Sequence, residues 1–389
     1  MFWFSMAFAS PQITLAPEGE VEKPRSTVVG GYAEGNVAWR KTGPDDSYRG
    51  TATLRRFVIA LYQRLPGAND TLSFTAEAEW ENAIACDGCL GSVEIEQAYL
   101  EYAPHPAIGV RGGLLLIPFG IINQKHEPPT FLGVERPSTD QKIIPTTWRD
   151  LGISAFGEVG PAKWQIAATT TFDPLEIGPA GFAPGKTLGS RAPADGWAVS
   201  GRAQVEPTLG LVFGGSGYIS DLAGNADFYN EEGEELDLFL PLYGAELDAE
   251  FDRFGIEARA VATGFWFPEA NVLMAARRED GSPYFPDDPT GAVPSRIWGG
   301  YVEVGVEVVK RFTKSEQELL TFARLETYDT HSAVPDGFER DPTLNIQEGT
   351  FGLVWRPIRQ ASVKADVQLR DRQRGDDEIA WTLGLGWMY

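Results

Sequence analysis

The sequence predicts an all-β fold, a transmembrane antiparallel β-barrel of sixteen strands, on three observations. Apolar and polar side chains alternate with period two over segments of about 9 to 14 residues, longer than ordinary soluble strands and suited to tilted membrane strands. The longest apolar run, Leu114 to Ile122, is broken by Pro118 and falls well short of the roughly 18 to 20 residues of a membrane helix. Short and long connections alternate along the chain, as expected when one barrel rim carries tight turns and the other carries loops.

The period is clearest at the C-terminus. Ile379, Trp381, Leu383, Leu385, Trp387 and Tyr389 interleave with Ala380, Thr382, Gly384, Gly386 and Met388, giving one large apolar face and one small face. Upstream, Leu72, Phe74, Ala76, Ala78 and Trp80 oppose Ser73, Thr75, Glu77, Glu79 and Glu81. Trp298, Val302, Val304, Val306 and Val308 oppose Tyr301, Glu303 and Glu307, and Ala361, Val363, Ala365, Val367 and Leu369 oppose Ser362, Lys364, Asp366, Gln368 and Arg370.

In chain order, strands are expected at 28–40, 50–64, 71–83, 92–103, 107–117, 150–158, 162–171, 196–206, 208–219, 240–251, 254–267, 296–310, 317–330, 344–356, 361–371 and 379–389. The segments at 50–64, 92–103 and 317–330 carry apolar and charged residues on both faces. Turn-like links such as Pro104-His105-Pro106, Val159-Gly160-Pro161 and Asp252-Arg253 alternate with long ones at 117–149, 172–195, 220–239, 268–295 and 331–343. A soluble sandwich has no reason to sort its loops this way, and an even strand number returns both termini to the short-turn rim. Trp39, Trp80, Trp298, Trp355, Trp381 and Trp387 fall on apolar faces, several near strand ends, where tryptophan suits lipid headgroups.

Residues 28–389 are thus expected to form one barrel domain. Residues 1–9, ending Ala7-Phe8-Ala9, read as the remnant of a signal peptide without its basic start, and 10–27 as a solvated N-terminal leader. Cys86 and Cys89 read as a small disulfide closing a loop, since no second cysteine pair or nearby histidine completes a redox or metal site. No metal and no cofactor is expected.

Composition and charge narrow the function. A formal net charge of -22 opposes binding to nucleic acid. The three histidines, His105, His126 and His331, fall in a turn and in loops, and G-x-S-x-G is absent, so an enzyme is not expected. With apolar faces outward, the lumen receives Arg56, Glu77, Glu79, Arg111, Arg202, Asp248, Arg259, Glu303, Glu307, Lys364, Asp366 and Arg370. Glu34, Glu81, Glu246, Glu250, Glu257 and Arg40 join them. This mixed, acid-rich wall predicts a water-filled channel for small hydrophilic solutes or ions with weak cation preference. The same charges could instead pair across the lumen and stiffen it.

The loop from Pro118 to Arg149, rich in proline and carrying Ile121, Phe131, Leu132, Ile143 and Ile144, is the candidate to fold inward and narrow the pore. Its charged candidates are Lys125, His126, Glu127, Glu135, Arg136, Asp140, Lys142 and Arg149. The acidic loop from Asp221 to Asp237 reads as solvated, with a divalent cation as the sharper alternative.

At the inward loop the chain resembles the phosphate-selective porin O and P family. The likeness is carried by Gly113 to Gly120, Asn123 to Glu127, Glu135-Arg136-Pro137, Ile144-Pro145-Thr146-Thr147-Trp148, Asp150-Leu151-Gly152 and Arg55-Arg56. It implies a homotrimeric outer-membrane porin of a Gram-negative bacterium, in contact with lipid and lipopolysaccharide, whose constriction binds oxyanions through arginine and lysine. The acidic residues of this loop and lumen weaken the phosphate expectation. An oxyanion channel and a plugged structural or adhesive barrel stand as alternatives to the weakly selective pore.

Overall fold

In the computed structural model the described residues are 27–43, 47–65, 71–83, 91–285, 288–309 and 317–389. The signal remnant at 1–9, the leader 10–27 except Thr27, and the Cys86 and Cys89 pair lie outside them.

Sixteen antiparallel strands close into one barrel. They are β1 (Thr27–Thr42), β2 (Arg49–Arg64), β3 (Leu72–Glu81), β4 (Val93–His105), β5 (Ile108–Leu116), β6 (Arg149–Val159), β7 (Ala162–Thr169) and β8 (Trp197–Thr208). The second half comprises β9 (Leu211–Asp221), β10 (Pro241–Arg253), β11 (Ile256–Trp266), β12 (Arg296–Glu307), β13 (Glu318–Ala333), β14 (Asn345–Ile358), β15 (Ala361–Arg372) and β16 (Glu378–Met388). Each strand pairs with its sequence neighbours, and β1 pairs with β16 to close the ring. Closure leaves no unpaired sheet edge, which a strand protein in lipid requires.

The strand alternation puts opposite chemistry on the two faces. Leu247, Val302, Leu325, Leu353, Leu383 and Leu385 are exposed on the outer face, whereas Glu77, Arg202, Glu303, Arg324 and Lys364 are buried within. Trp39 and Trp381 face each other in register between β1 and β16, and both are exposed toward the long-loop rim. Trp355, Trp387 and Tyr389 ring the opposite rim. An apolar belt edged by amphipathic rings matches a bilayer, not bulk water.

Turn geometry separates the rims. Phe254 and Gly255 join β10 to β11 in two residues with φ of 60° and 74°, the two positive values of a tight hairpin turn. The opposite rim carries the loops at 117–148, 170–196, 222–240 and 267–295. These are far from solvated tethers. Phe119, Trp148, Phe172, Phe182, Phe228, Phe265, Phe267 and Leu273 form one buried apolar cluster with the upper wall. Trp148 lies at the centre, its ring 4.9 Å from Phe172 and 4.8 Å from Tyr218.

Two of the three ambiguous segments contain a β-bulge within them, and β13 has a register shift at its far end, where Trp298 pairs with Asp329 but Arg296 with Ala333. Glu34 pairs with Arg56 while Gly35 pairs with Leu54, so Arg55 is an extra residue in β2. Likewise Glu77 pairs with Gln97 and Ala78 with Ile95, leaving Glu96 as the extra residue in β4. A bulge reverses the facing of residues beyond it, which is why neither strand shows one apolar face throughout. The third segment, β13, turns Leu320 and Phe322 inward for another reason, namely that they pack with Leu132 and Val354. β9 begins at Leu211 instead of 208, and β13 extends past His331 to Ala333, so His331 belongs to a strand and not to a loop.

Candidate constriction and pore-lining site

The third long loop runs inside the barrel. It contains two short helices, α1 (Ile121–Gln124) and α2 (Thr139–Lys142), and a 3-10 turn at Pro128–Thr130. Asn123 fixes its entry and exit together. The Asn123 amide donates to the carbonyls of Ile117 and Trp148 at 2.9 and 3.0 Å, and its oxygen accepts from the Trp148 N–H at 2.7 Å.

Wall residues then hold the loop along its length. Lys125 pairs with Glu250 at 2.9 Å, and Arg259 bonds Glu250 at 2.9 Å and the Thr130 carbonyl at 3.2 Å. Lys364 donates to the carbonyls of Pro128, Phe131 and Gly133 at 2.7, 2.5 and 2.8 Å, with its ammonium 4.0 Å from the centre of the Phe131 ring. Asp366 accepts from the Val134 N–H at 2.7 Å, and Glu326 from the Thr139 N–H at 2.9 Å. A loop backbone buried in a lumen must satisfy its polar groups somewhere, and here the charged wall supplies the partners.

The small face of β16 makes the room. A Cβ on Gly384 would sit 2.8 Å from Val134, and one on Gly386 would sit 2.6 Å from Pro128. Glycine at these positions therefore follows from the loop pressed against them.

The loop does not fill the barrel evenly. An open cleft remains between it and the wall of β1 to β4, extending to the start of β6 and the loop at 170–196. Five cations line it, Arg55, Arg56, Arg136, Arg149 and Lys186, together with five carboxylates, Glu34, Glu79, Glu81, Glu94 and Glu135. Arg56 pairs with Glu34 at 2.5 Å and approaches Glu79 at 3.7 Å, Arg55 binds Glu135, and Arg149 binds Glu94. Arg136 and Lys186 bond backbone carbonyls instead, those of His126 at 2.9 Å and Thr146 at 3.0 Å. The Nε atoms of Arg136 and Arg149 are buried and lack a hydrogen-bond partner. Burial, reinforced by the neighbouring Arg149 charge, lowers the Lys186 ammonium to about 8.

Of the charged loop residues singled out from sequence, Glu135, Arg136 and Arg149 line this cleft. Lys125 is an anchor, and His126, Glu127 and Asp140 are buried behind the lining. Lys142 is exposed and does not line the cleft. Among the wall residues, Glu34, Arg56, Glu79 and Glu81 line the cleft. Glu77 accepts from Gln97 at 2.7 Å, and Arg111 pairs with Glu101 at 2.5 Å. Arg202 joins Glu246 and Asp248 at 2.9 and 2.7 Å, Glu303 meets Arg324 at 3.2 Å, and Arg370 meets Glu348 at 2.8 Å. Glu307 accepts the Val309 N–H at 2.8 Å near the short-turn rim. Most wall charges thus serve pairing and loop anchorage, and the acid excess counted from sequence does not carry over to the cleft, where the signs are equal in number.

Three residues that matter here escaped the period-two reading. Arg55 and Glu96 sit at bulges, and Lys186 comes from a loop whose sequence gives no sign that it folds over the cleft. The paired arginines Arg55-Arg56 were the one available hint, since two adjacent strand residues reach one side only through a bulge.

No protein-family model matches the chain. Solved structures share its barrel across nearly the whole length. The anion-selective porin from Comamonas acidovorans is 12% identical with a TM-score of 0.55, covering 94% of this chain and 99% of that one. Salmonella typhi OmpF, in complex with daunomycin, is 12% identical with a TM-score of 0.57, over 93% of this chain and 97% of that one. Pseudomonas putida OprB is 10% identical with a TM-score of 0.55, over 94% of each chain. At such identities the likeness is one of fold. An uncharacterized protein of Aquifex aeolicus (strain VF5) is much nearer in sequence, 30% identical over 365 residues, which are 93% of this chain and 79% of that protein. The chain therefore belongs to the same family as this Aquifex protein, and its fold is the sixteen-stranded barrel of the porins.

Proposed function

We propose that the protein is an outer-membrane channel of a Gram-negative bacterium, through which small hydrophilic solutes and ions diffuse passively with weak charge selectivity. The observation that carries this reading is the open cleft, bordered by five basic and five acidic side chains, inside a barrel with an apolar outer belt. Polar walls keep the route wet. Balanced signs favour neither ion strongly. The trimer implied by the phosphate-selective porin resemblance belongs to the same proposal.

A selective oxyanion channel is the second reading, favoured by Arg136 and Lys186. Arg136 and Lys186 hydrogen-bond to backbone carbonyls and not to a carboxylate, which leaves their charge suited to an oxyanion. Reversal potentials in a planar bilayer under a salt gradient, repeated with phosphate, test both readings. A reversal potential near zero supports the first. Chloride current blocked by low phosphate, with the block relieved in Arg136→Ala, supports the second. Absence of current sinks both.

A further inference from the structure

We propose that Glu77, Glu96 and His126 form a binding site for one divalent transition ion, Zn²⁺ or an ion of similar coordination preference, which fastens the inward loop to the barrel wall. The three are fully or almost fully buried, and one ligand atom from each lies within 4.8 Å of the others. A tetrahedral ion with bonds of about 2.0 to 2.2 Å holds its ligands roughly 3.4 Å apart. Side-chain adjustments of about an ångström would bring the three into place.

Polar satisfaction points to the same place. Among the described residues, both carboxylate oxygens of Glu96 and Nε2 of His126 are buried without a partner at hydrogen-bond distance, and Nε2 lies 3.6 Å from Glu96 Oε2. The other imidazole nitrogen, Nδ1, lies 3.3 Å from the Asn123 carbonyl oxygen. The carbonyl can only accept, so Nδ1 carries a proton, and Nε2 is the nitrogen turned toward Glu96, free to bind an ion once any proton on it has left. Asn123 is itself fixed by three bonds at the loop's neck, so the imidazole is supported from behind.

Charge supplies the third argument. Arg56 serves Glu34 and Glu79, Glu77 has a hydrogen bond from neutral Gln97, and the cation facing Glu96 is His126 itself when protonated, at 3.6 Å. Two buried carboxylates at one site are costly without nearby positive charge. A divalent ion neutralises both, and the set of one imidazole with two carboxylates suits zinc and the neighbouring first-row ions. Glu79 lines the cleft and stands beside Glu96, which gives an ion a route from the lumen. The bulge at Glu96 is what makes the site, because it turns Glu96 and Gln97 inward together. The site does not depend on whether the barrel conducts.

The test uses the refolded full chain in detergent, with heat-modifiable electrophoretic mobility as the check that each variant is folded. Cobalt(II) is followed by its visible absorption and zinc(II) by competition with a chromophoric chelator. One ion per chain is expected, with His126→Gln and Glu96→Gln each weakening binding by at least about tenfold and His105→Gln, at the short-turn end of β4, leaving it unchanged. Failure of the wild type to bind one ion, equal loss in His105→Gln, or undiminished binding in folded His126→Gln overturns the proposal. Should the variants not fold, trypsin cleavage of the wild-type loop between Lys125 and Lys142 decides. Zinc should slow it and a chelator restore it, and no effect of zinc overturns the site.

Discussion

Replacing Lys364 with Met should release the inward loop. The ammonium uses its three protons on three loop carbonyls, those of Pro128, Phe131 and Gly133, at 2.7, 2.5 and 2.8 Å. A hydrogen bond from a charged donor contributes about 1.5 to 3 kcal/mol, so three would sum to roughly 5 to 9 kcal/mol. That sum is an upper bound, because Met also removes several kcal/mol of desolvation cost carried by a buried ammonium. Met fills similar volume, leaving the lost bonds as the main change. A net loss of about 2 to 4 kcal/mol in loop docking remains, which raises the undocked population by about thirtyfold to several-hundred-fold. Trypsin cleavage between Lys125 and Lys142 tracks that population when opening is faster than cutting. The expected outcome is cleavage accelerated at least about tenfold, with noisier single-channel current and an unchanged barrel mobility on electrophoresis. Cleavage within twofold of wild type in a folded variant would refute the view that this lysine clamps the loop.

The remaining predictions concern the loop's seat, the cleft charge and the outer face. Gly386→Val places new atoms against Pro128, where a Cβ alone would lie at 2.6 Å. Overpacking of about 1 to 3 kcal/mol should push the loop from β16, lower thermal stability and raise conductance; unchanged conductance and melting would count against the contact. Lys186 is lowered to about 8 by burial and by Arg149, so its charge is present below that pH and lost as pH rises through it. Raising pH from 7 to 9 should shift the reversal potential toward cation preference with a midpoint near 8, and Lys186→Gln should abolish that step. Leu325 is 63% exposed on the outer face of β13. Leu325→Arg should cost about 2 to 4 kcal/mol of folding stability if that position lies at mid-bilayer, read by urea titration in lipid vesicles, whereas an effect below about 0.5 kcal/mol would place Leu325 outside the lipid.

The sequence by itself determined the barrel. Period-two segments such as 361–371 and 379–389 specify one apolar face each, and the sorting of short and long connections specifies how consecutive strands join. Both properties are local, so they survive in a linear reading. The inward course of the third loop was also legible, because its prolines and its apolar residues Phe131 and Leu132 are at odds with a solvated connection. Tertiary structure alone decided which charges meet the cleft. Arg55 and Glu96 were hidden because one extra residue in a strand reverses every facing beyond it, and a sequence does not mark where that residue lies. Lys186 and His126 were undecided for a different reason. Each reaches its partners from a loop, and loop placement depends on long-range packing around Trp148 that brings Lys186 to the Thr146 carbonyl and His126 to the Glu96 carboxylate. The barrel is thus written in local periodicity, whereas the site depends on contacts between residues far apart in the chain.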